Sequence, residues 1–128
     1  MRERLNQLVL LLAAVVFAWV GLMGLSAPTT IAASIDMGLG SASAHNEVRA
    51  NYGGMHLGMC CLLIAGAFSE AARRPATILL TVFTGGLVLG RLLSLAADGL
   101  PNAFVFQLLV LEATTAACGA SLLLTPRD

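Results

Sequence analysis

Apolar residues in this chain gather into four long runs separated by polar stretches. The runs cover about residues 5–25, 49–68, 75–97 and 103–124. Each has close to the roughly 20 residues that an α-helix needs to cross the hydrocarbon core of a bilayer. The pattern predicts an all-α membrane protein, with four transmembrane helices in one up-and-down bundle that forms a single domain over residues 1–128.

Composition agrees with a membrane protein. Hydrophobic residues make up 58% of the chain and charged residues only 11%, whereas charged residues approach about a quarter of a soluble domain. Seven arginines balance seven acidic residues, so the chain has no basic stripe of the kind that nucleic-acid binding needs. We therefore expect the lipid bilayer as a partner and no nucleic acid.

A secretory signal peptide is the alternative interpretation of the first run. The charged start at Arg2 and Arg4 would suit one, and Ala42-Ser43-Ala44 resembles a cleavage site. However, the run exceeds the roughly 7–15 apolar residues of a signal core, and the small-residue site lies far beyond its end. We interpret the first run as a membrane span.

The longest connection joins the first two spans, over residues 26–46. Its Ser, Ala and Gly content predicts a loop with a short interfacial helix around Thr30–Met37. Connections of this length are often functional lids, so a cover over the neighbouring helix ends is one interpretation. The later connections are predicted to be short, a polar turn over Ser69–Pro75 and another over Asp98–Asn102.

The arginines predict the orientation of the chain in the membrane. Five fall on one side of a four-span chain, namely Arg2, Arg4, Arg73, Arg74 and Arg127. Because cytoplasmic loops are rich in Lys and Arg, both termini are expected in the cytoplasm. Arg49 is associated with the outer side, where Glu47 or Asp98 would balance its charge.

Polar residues within the spans are the candidates for function, since an ionisable group in lipid must pair, neutralise or face water. Arg91 and Glu112 lie at depths that an arginine side chain can bridge, so we expect an ion pair between the third and fourth spans, with His56 as a neighbour. Such a pair could equally serve only to fix helix register. The outward-facing cluster predicted to bind a ligand or relay a proton comprises Glu47, Arg49, Asn51, Tyr52, His56, Arg91, Asp98 and Glu112.

A soft metal ion is a weaker hypothesis than the absence of any cofactor. His56 and Cys60 share a helix face one turn apart, and imidazole and thiolate ligands suit Cu(I). Cys61 points about 100° away from that face, and Cys60-Cys61 lacks the C-x-x-C spacing of a redox pair. The sequence also contains no catalytic motif, so an enzyme cannot be argued from it.

Two groups of residues are similar to a known family. They are Glu47-x-Arg49-Ala50-x-Tyr52-Gly53-Gly54-x-His56, and Gly90-Arg91-Leu92 with Asp98-Gly99-x-Pro101 and the later Glu112. Together they resemble the DUF4345 family of small four-helix bacterial integral membrane proteins. The resemblance implies that fold and, with the expected orientation, a multi-pass protein of the bacterial cytoplasmic (inner) membrane. It implies no activity, because the family is one of unknown function.

Two functions from different classes fit these observations. One is a binding or transport module whose polar cluster takes an anionic or polar small molecule, or a proton. The other is a non-catalytic accessory subunit of a membrane complex, or a self-associating protein, in which Gly86-x-x-x-Gly90 provides close helix packing. Convergent polar groups favour the binding module. The interaction protein is favoured by volume, because four short spans are expected to enclose little space for a pocket of roughly 300 Å³ or more.

Overall fold

The computed structural model describes residues 1–125, which are mostly helical and contain no strands. The first helix, α1, covers Arg2–Ser26, and a short helix, α2, covers Pro28–Ser34. The last two helices, α5 and α6, cover Glu70–Asp98 and Ala103–Leu124. Three of these helices, α1, α5 and α6, are long and apolar enough to cross a membrane. The predicted all-helical class is thereby confirmed, while Arg127 lies outside the described residues.

The second apolar run belongs to a helical segment longer than the sequence predicts. Helix α3 covers Ala42–Val48, a π-helical turn covers Arg49–Gly54, and α4 covers Met55–Phe68. Backbone dihedrals stay in the right-handed helical region at both junctions, so the three pieces form one continuous 42–68 segment. It starts at Ala42 because the Ser41 hydroxyl accepts a hydrogen bond from the Ala44 N–H at 3.1 Å, a typical N-cap.

The other connections also follow local capping chemistry. Helix α2 lies near the predicted interfacial helix but starts at Pro28, a residue that suits the first position of a helix. The polar turn predicted over Ser69–Pro75 is wrong, since only Ser69 interrupts the helices. Its hydroxyl caps the Ala72 N–H and Glu70 occupies the first turn, which starts α5 before Pro75. The turn predicted after Asp98 is present, with Gly99 at φ 93°.

The long helices pack in a defined order. Helix α1 packs along α4 and the π-helical turn, α4 packs against α5, and α5 packs against α6, whereas α1 and α6 touch only sparsely. Leu10, Leu63 and Leu80, one from each of α1, α4 and α5, are completely buried in the core that these helices share. The sparse contact leaves α1 and α6 apart, which creates the cleft described below.

Glycine allows α1 and the π-helical turn to touch through their backbones. A Cβ added at Gly24 would lie 2.5 Å from the Tyr52 carbonyl carbon and 2.6 Å from the Gly53 nitrogen. Real Cβ atoms do not approach backbone so closely, so only glycine fits at position 24. This contact places the polar start of the 42–68 segment directly beside the end of α1.

The outer surface of the described residues is strongly apolar. Large hydrophobic side chains stay exposed along α1, α5 and α6, including Leu12, Val82, Leu89 and Val110. Exposed apolar patches of this extent mark a membrane or protein contact, which agrees with the membrane protein expected from composition.

Candidate functional site

A cavity of about 610 Å³ lies among the long helices. Its walls come from α1, α2, the 42–68 segment, α5 and α6, and most of them are apolar. The expectation that the spans enclose too little volume for a pocket is wrong, because the separation of α1 from α6 adds space that tight four-helix packing would fill. The polar residues in its wall include Asn51, Tyr52, His56, Arg91, Glu112 and Thr115.

The cavity is a cleft that opens sideways between α1 and α6. Its rim carries exposed side chains from both helices, among them Leu12 and Trp19 on α1 and Leu111 and Cys118 on α6. These rim residues are mostly apolar, so the opening faces the same surroundings as the apolar outer surface.

Helix α2 covers one end of the cleft. Ile31, Ser34 and Ile35 contribute to the cleft wall. The Asn102 amide donates hydrogen bonds to the Ser34 carbonyl at 3.2 Å and to an Asp36 carboxylate oxygen at 2.6 Å. Since Asn102 also caps α6 through its side-chain oxygen, one residue joins the start of α6 to the end of α2.

The structure brings Arg91 and Glu112 together in the cleft wall. The Arg91 Nε and Nη2 donate to the two carboxylate oxygens of Glu112 at 2.5 and 2.8 Å. The side chains are 25% and 12% exposed, so the pair is partly shielded. A bidentate arginine–carboxylate pair is strong and directional, and it leaves the cleft with little net charge at this point.

His56 lies in a group of four aromatic rings. Its ring centroid is 5.3 Å from that of Phe17, 5.9 Å from Tyr52 in a stacked arrangement, and 6.4 Å from Phe83. The His56 Nδ1 lies 2.8 Å from the carbonyl oxygen of Asn51, five residues earlier, across the π-helical turn. Turns of this kind are frequent at functional sites, and here the turn fixes the imidazole against the cleft.

The remaining predicted residues do not reach the cleft. Glu47 accepts a hydrogen bond from the Asn51 amide at 2.6 Å, and Asp98 accepts one from Ser94 at 2.9 Å. Arg49 donates to the Leu25 carbonyl at 3.3 Å, and the ion pairs among residues 1–125 do not include it. The expected pairing of Arg49 with Glu47 or Asp98 is therefore wrong, because its side chain turns toward the end of α1.

A family model described as "Domain of unknown function (DUF4345)" matches residues 5–123, nearly the whole chain. The chain belongs to this family. No curated protein and no solved structure matches the chain.

Cys60 of this DUF4345 protein does not line the cleft. It is buried in the core with Leu63 and Met59. Within the described residues, no three His, Cys, Asp or Glu side chains come together as metal ligands would. Cys61 is exposed on α4, and Cys118 is exposed at the cleft rim.

Sequence reasoning did not identify the apolar part of the site. Phe17, Trp19 and Phe83 line the cleft of the DUF4345 protein, yet each looks like an ordinary residue of an apolar span. Asn102 gave a clearer signal, since an asparagine between Pro101 and an apolar run is a typical helix cap. Its contact with α2 depends on tertiary packing, which no local pattern reveals.

Proposed function

We propose that this DUF4345 protein binds an amphipathic small molecule that enters the cleft between α1 and α6 from the bilayer. The main support is the combination of an apolar cleft that opens sideways with a polar wall formed by Tyr52, His56 and the Arg91–Glu112 pair. The volume of about 610 Å³ falls within the roughly 300–1,000 Å³ that is typical of small-molecule sites.

The proposal includes the arrangement of the protein in the membrane. The continuous 42–68 segment is a fourth span, so the long helices form a four-helix transmembrane bundle in which the Arg91–Glu112 pair is intramembrane. Both termini lie in the cytoplasm, because Arg73 and Arg74 mark the inner end of α5. Helix α2 then covers the cleft from the outer side of a bacterial cytoplasmic membrane.

The charge distribution favours an uncharged polar head on the ligand. Two of the N–H groups of Arg91 already bind Glu112, so the guanidinium is largely neutralised. A free anion would have to compete with Glu112 and would meet its negative charge at short range. The cleft thus suits a neutral amphiphile better than the anionic ligand that the sequence also permits.

Filling the cleft tests this function. Cys118→Phe places a bulky ring at the rim, and we expect purified protein carrying it to lose most copurified lipid-like ligand in native mass spectrometry. Cys61→Phe is the matched control, because Cys61 is exposed on α4 and does not line the cleft. Wild-type protein that is always empty, or equal ligand loss in both variants, would contradict binding in the cleft.

A self-associating interaction protein is the second candidate. Cβ atoms added at Gly86 or Gly90 would meet nothing within 4 Å, so this small-residue face of α5 has no partner within the described residues. Faces of this kind commonly pack against another helix in membranes. The same native mass spectra distinguish this function, since it requires a mass of two or more chains.

A further inference from the structure

The hydrogen bond of His56 determines what its second ring nitrogen can do. A carbonyl oxygen only accepts hydrogen bonds, so the Nδ1 that lies 2.8 Å from the Asn51 carbonyl carries the hydrogen. In the neutral imidazole, Nε2 is then an acceptor with a free lone pair. Histidines at metal sites follow the same principle, because a hydrogen bond donated by one ring nitrogen leaves the lone pair on the other.

The Nε2 of His56 has no hydrogen-bond partner among residues 1–125, in a side chain that lines the cleft. Among residues 1–125, the only fully buried side-chain nitrogen or oxygen without a hydrogen-bond partner is Arg73 Nε. The unpartnered Nε2 of His56 is therefore not fully buried. A ligand in the cleft can therefore donate a hydrogen bond to Nε2.

Neighbouring groups complete a small polar site. The Tyr52 ring stacks on His56, and Tyr52 and Arg91 both line the same cleft. The Arg91 Nη1 is not used in the pair with Glu112. The site thus offers an acceptor at His56, donors at Arg91, and a Tyr52 hydroxyl that can serve either way.

We propose that the ligand head is a hydroxyl, an alcohol or phenol on an apolar body, that donates to His56 Nε2 and accepts from Tyr52 or Arg91. This inference rests on the proposed binding function and specifies its ligand class. An ether or ester supplies acceptors only and would leave Nε2 unpaired. A carboxylate also lacks the donor and adds repulsion from Glu112.

Trp19 provides the measurement, because it lines the cleft and is the single tryptophan in the chain. Bromine quenches indole fluorescence on close contact, so ω-bromododecanol can be titrated into detergent-solubilised full-length protein. Its O-methyl ether and ω-bromododecanoate are matched probes. We expect saturable quenching by the alcohol and about three- to tenfold weaker binding of the ether, the effect of roughly one net hydrogen bond.

Variants assign the difference to the imidazole. His56→Phe keeps a ring for stacking but removes the acceptor, so the alcohol and the ether should bind alike. His45→Phe is the matched control, since the His45 Nδ1 also bonds a backbone carbonyl, at 2.9 Å from Ser41, but His45 does not line the cleft. The His45→Phe variant should keep the wild-type preference for the alcohol over the ether. His56→Gln retains an acceptor, so it should show part of the preference that His56→Phe loses.

The outcomes separate the two proposals. Saturable quenching with equal affinity for alcohol and ether in the wild-type protein would overturn the hydroxyl assignment and leave cleft binding standing. This comparison needs no variant, so misfolding of His56→Phe does not weaken it. An alcohol preference that survives in His56→Phe would also overturn the assignment. Failure of every probe to quench Trp19 saturably would overturn the binding function itself.

Discussion

Among single residues, Arg91 and Glu112 show how a charge can be kept in an apolar chain. Each would be costly alone in lipid, and each fills the hydrogen-bonding needs of the other through two contacts. Their spacing along two apolar runs allowed the pairing to be predicted, because an isolated acid and an isolated base at similar depth have few other partners. Arg49 shows the limit of that reasoning, since its partner is a backbone carbonyl that charge balance cannot identify.

A double-mutant cycle tests whether the pair acts as a unit. Arg91→Ala or Glu112→Ala alone leaves an uncompensated charge, so each should lower the free energy of unfolding in detergent by about 3 kcal/mol. The double variant should be no less stable than either single variant, because neither charge remains. Denaturant unfolding followed by circular dichroism measures all four proteins.

The Arg73–Glu3 pair offers the matched control for that cycle. Its atoms are 3.3 Å apart, and the Glu3 side chain is 73% exposed, so Glu3→Ala should cost at most about 1 kcal/mol. Simple addition of the Arg91 and Glu112 effects would show that the two residues are not coupled.

At the level of elements, the contact of α1 with the π-helical turn holds the polar wall of the cleft in place. Hydrophobic length predicted the three long helices α1, α5 and α6, because each contains an apolar run long enough to cross a membrane. The π-helical turn was not predictable, since residues Arg49–Gly54 have no pattern that distinguishes one extra residue per turn from a regular helix. Tertiary contact with Gly24, which is distant in sequence, accompanies that geometry.

Gly24→Ala tests this contact. The added methyl group would collide with the Tyr52–Gly53 backbone, which cannot move away as a flexible side chain does. We expect a loss of about 1–3 kcal/mol in unfolding free energy, the usual cost of overpacking, together with weaker Trp19 quenching by bound probe. Thermal unfolding and the quenching titration report the two effects.

Gly58→Ala is the matched control for the glycine contact. Gly58 lies on α4, and a Cβ there would meet nothing within 4 Å. Because alanine favours helix over glycine by about 1 kcal/mol, this variant should be as stable as the wild-type protein or more so. Equal stability of Gly24→Ala and Gly58→Ala would contradict a tight backbone contact at position 24.

For the whole molecule, composition and run length were sufficient to predict an all-helical membrane protein, whereas the cleft was not predictable. The cleft results from sparse contact between one pair of helices, α1 and α6. The sequence of α1 alone does not indicate which of the other helices it will contact least. Polar residues nevertheless identified one wall, since Asn51, Tyr52, His56, Arg91 and Glu112 all line it. The aromatic part of the wall, formed by Phe17, Trp19 and Phe83, was not predictable, because it depends on how α1 packs against α4 and α5.

Orientation in the membrane is the remaining whole-molecule prediction, and cysteine labelling checks it. In a background with the three native cysteines replaced by alanine, Gly38→Cys should react with a membrane-impermeant maleimide added to spheroplasts. Ala71→Cys should react only after the membrane is permeabilised, because position 71 lies beside Arg73 and Arg74 at the proposed cytoplasmic end of α5. Both positions are exposed, so local burial does not limit either reaction. Labelling of position 71 from outside, with protection of position 38, would reverse the orientation and place α2 and its end of the cleft in the cytoplasm.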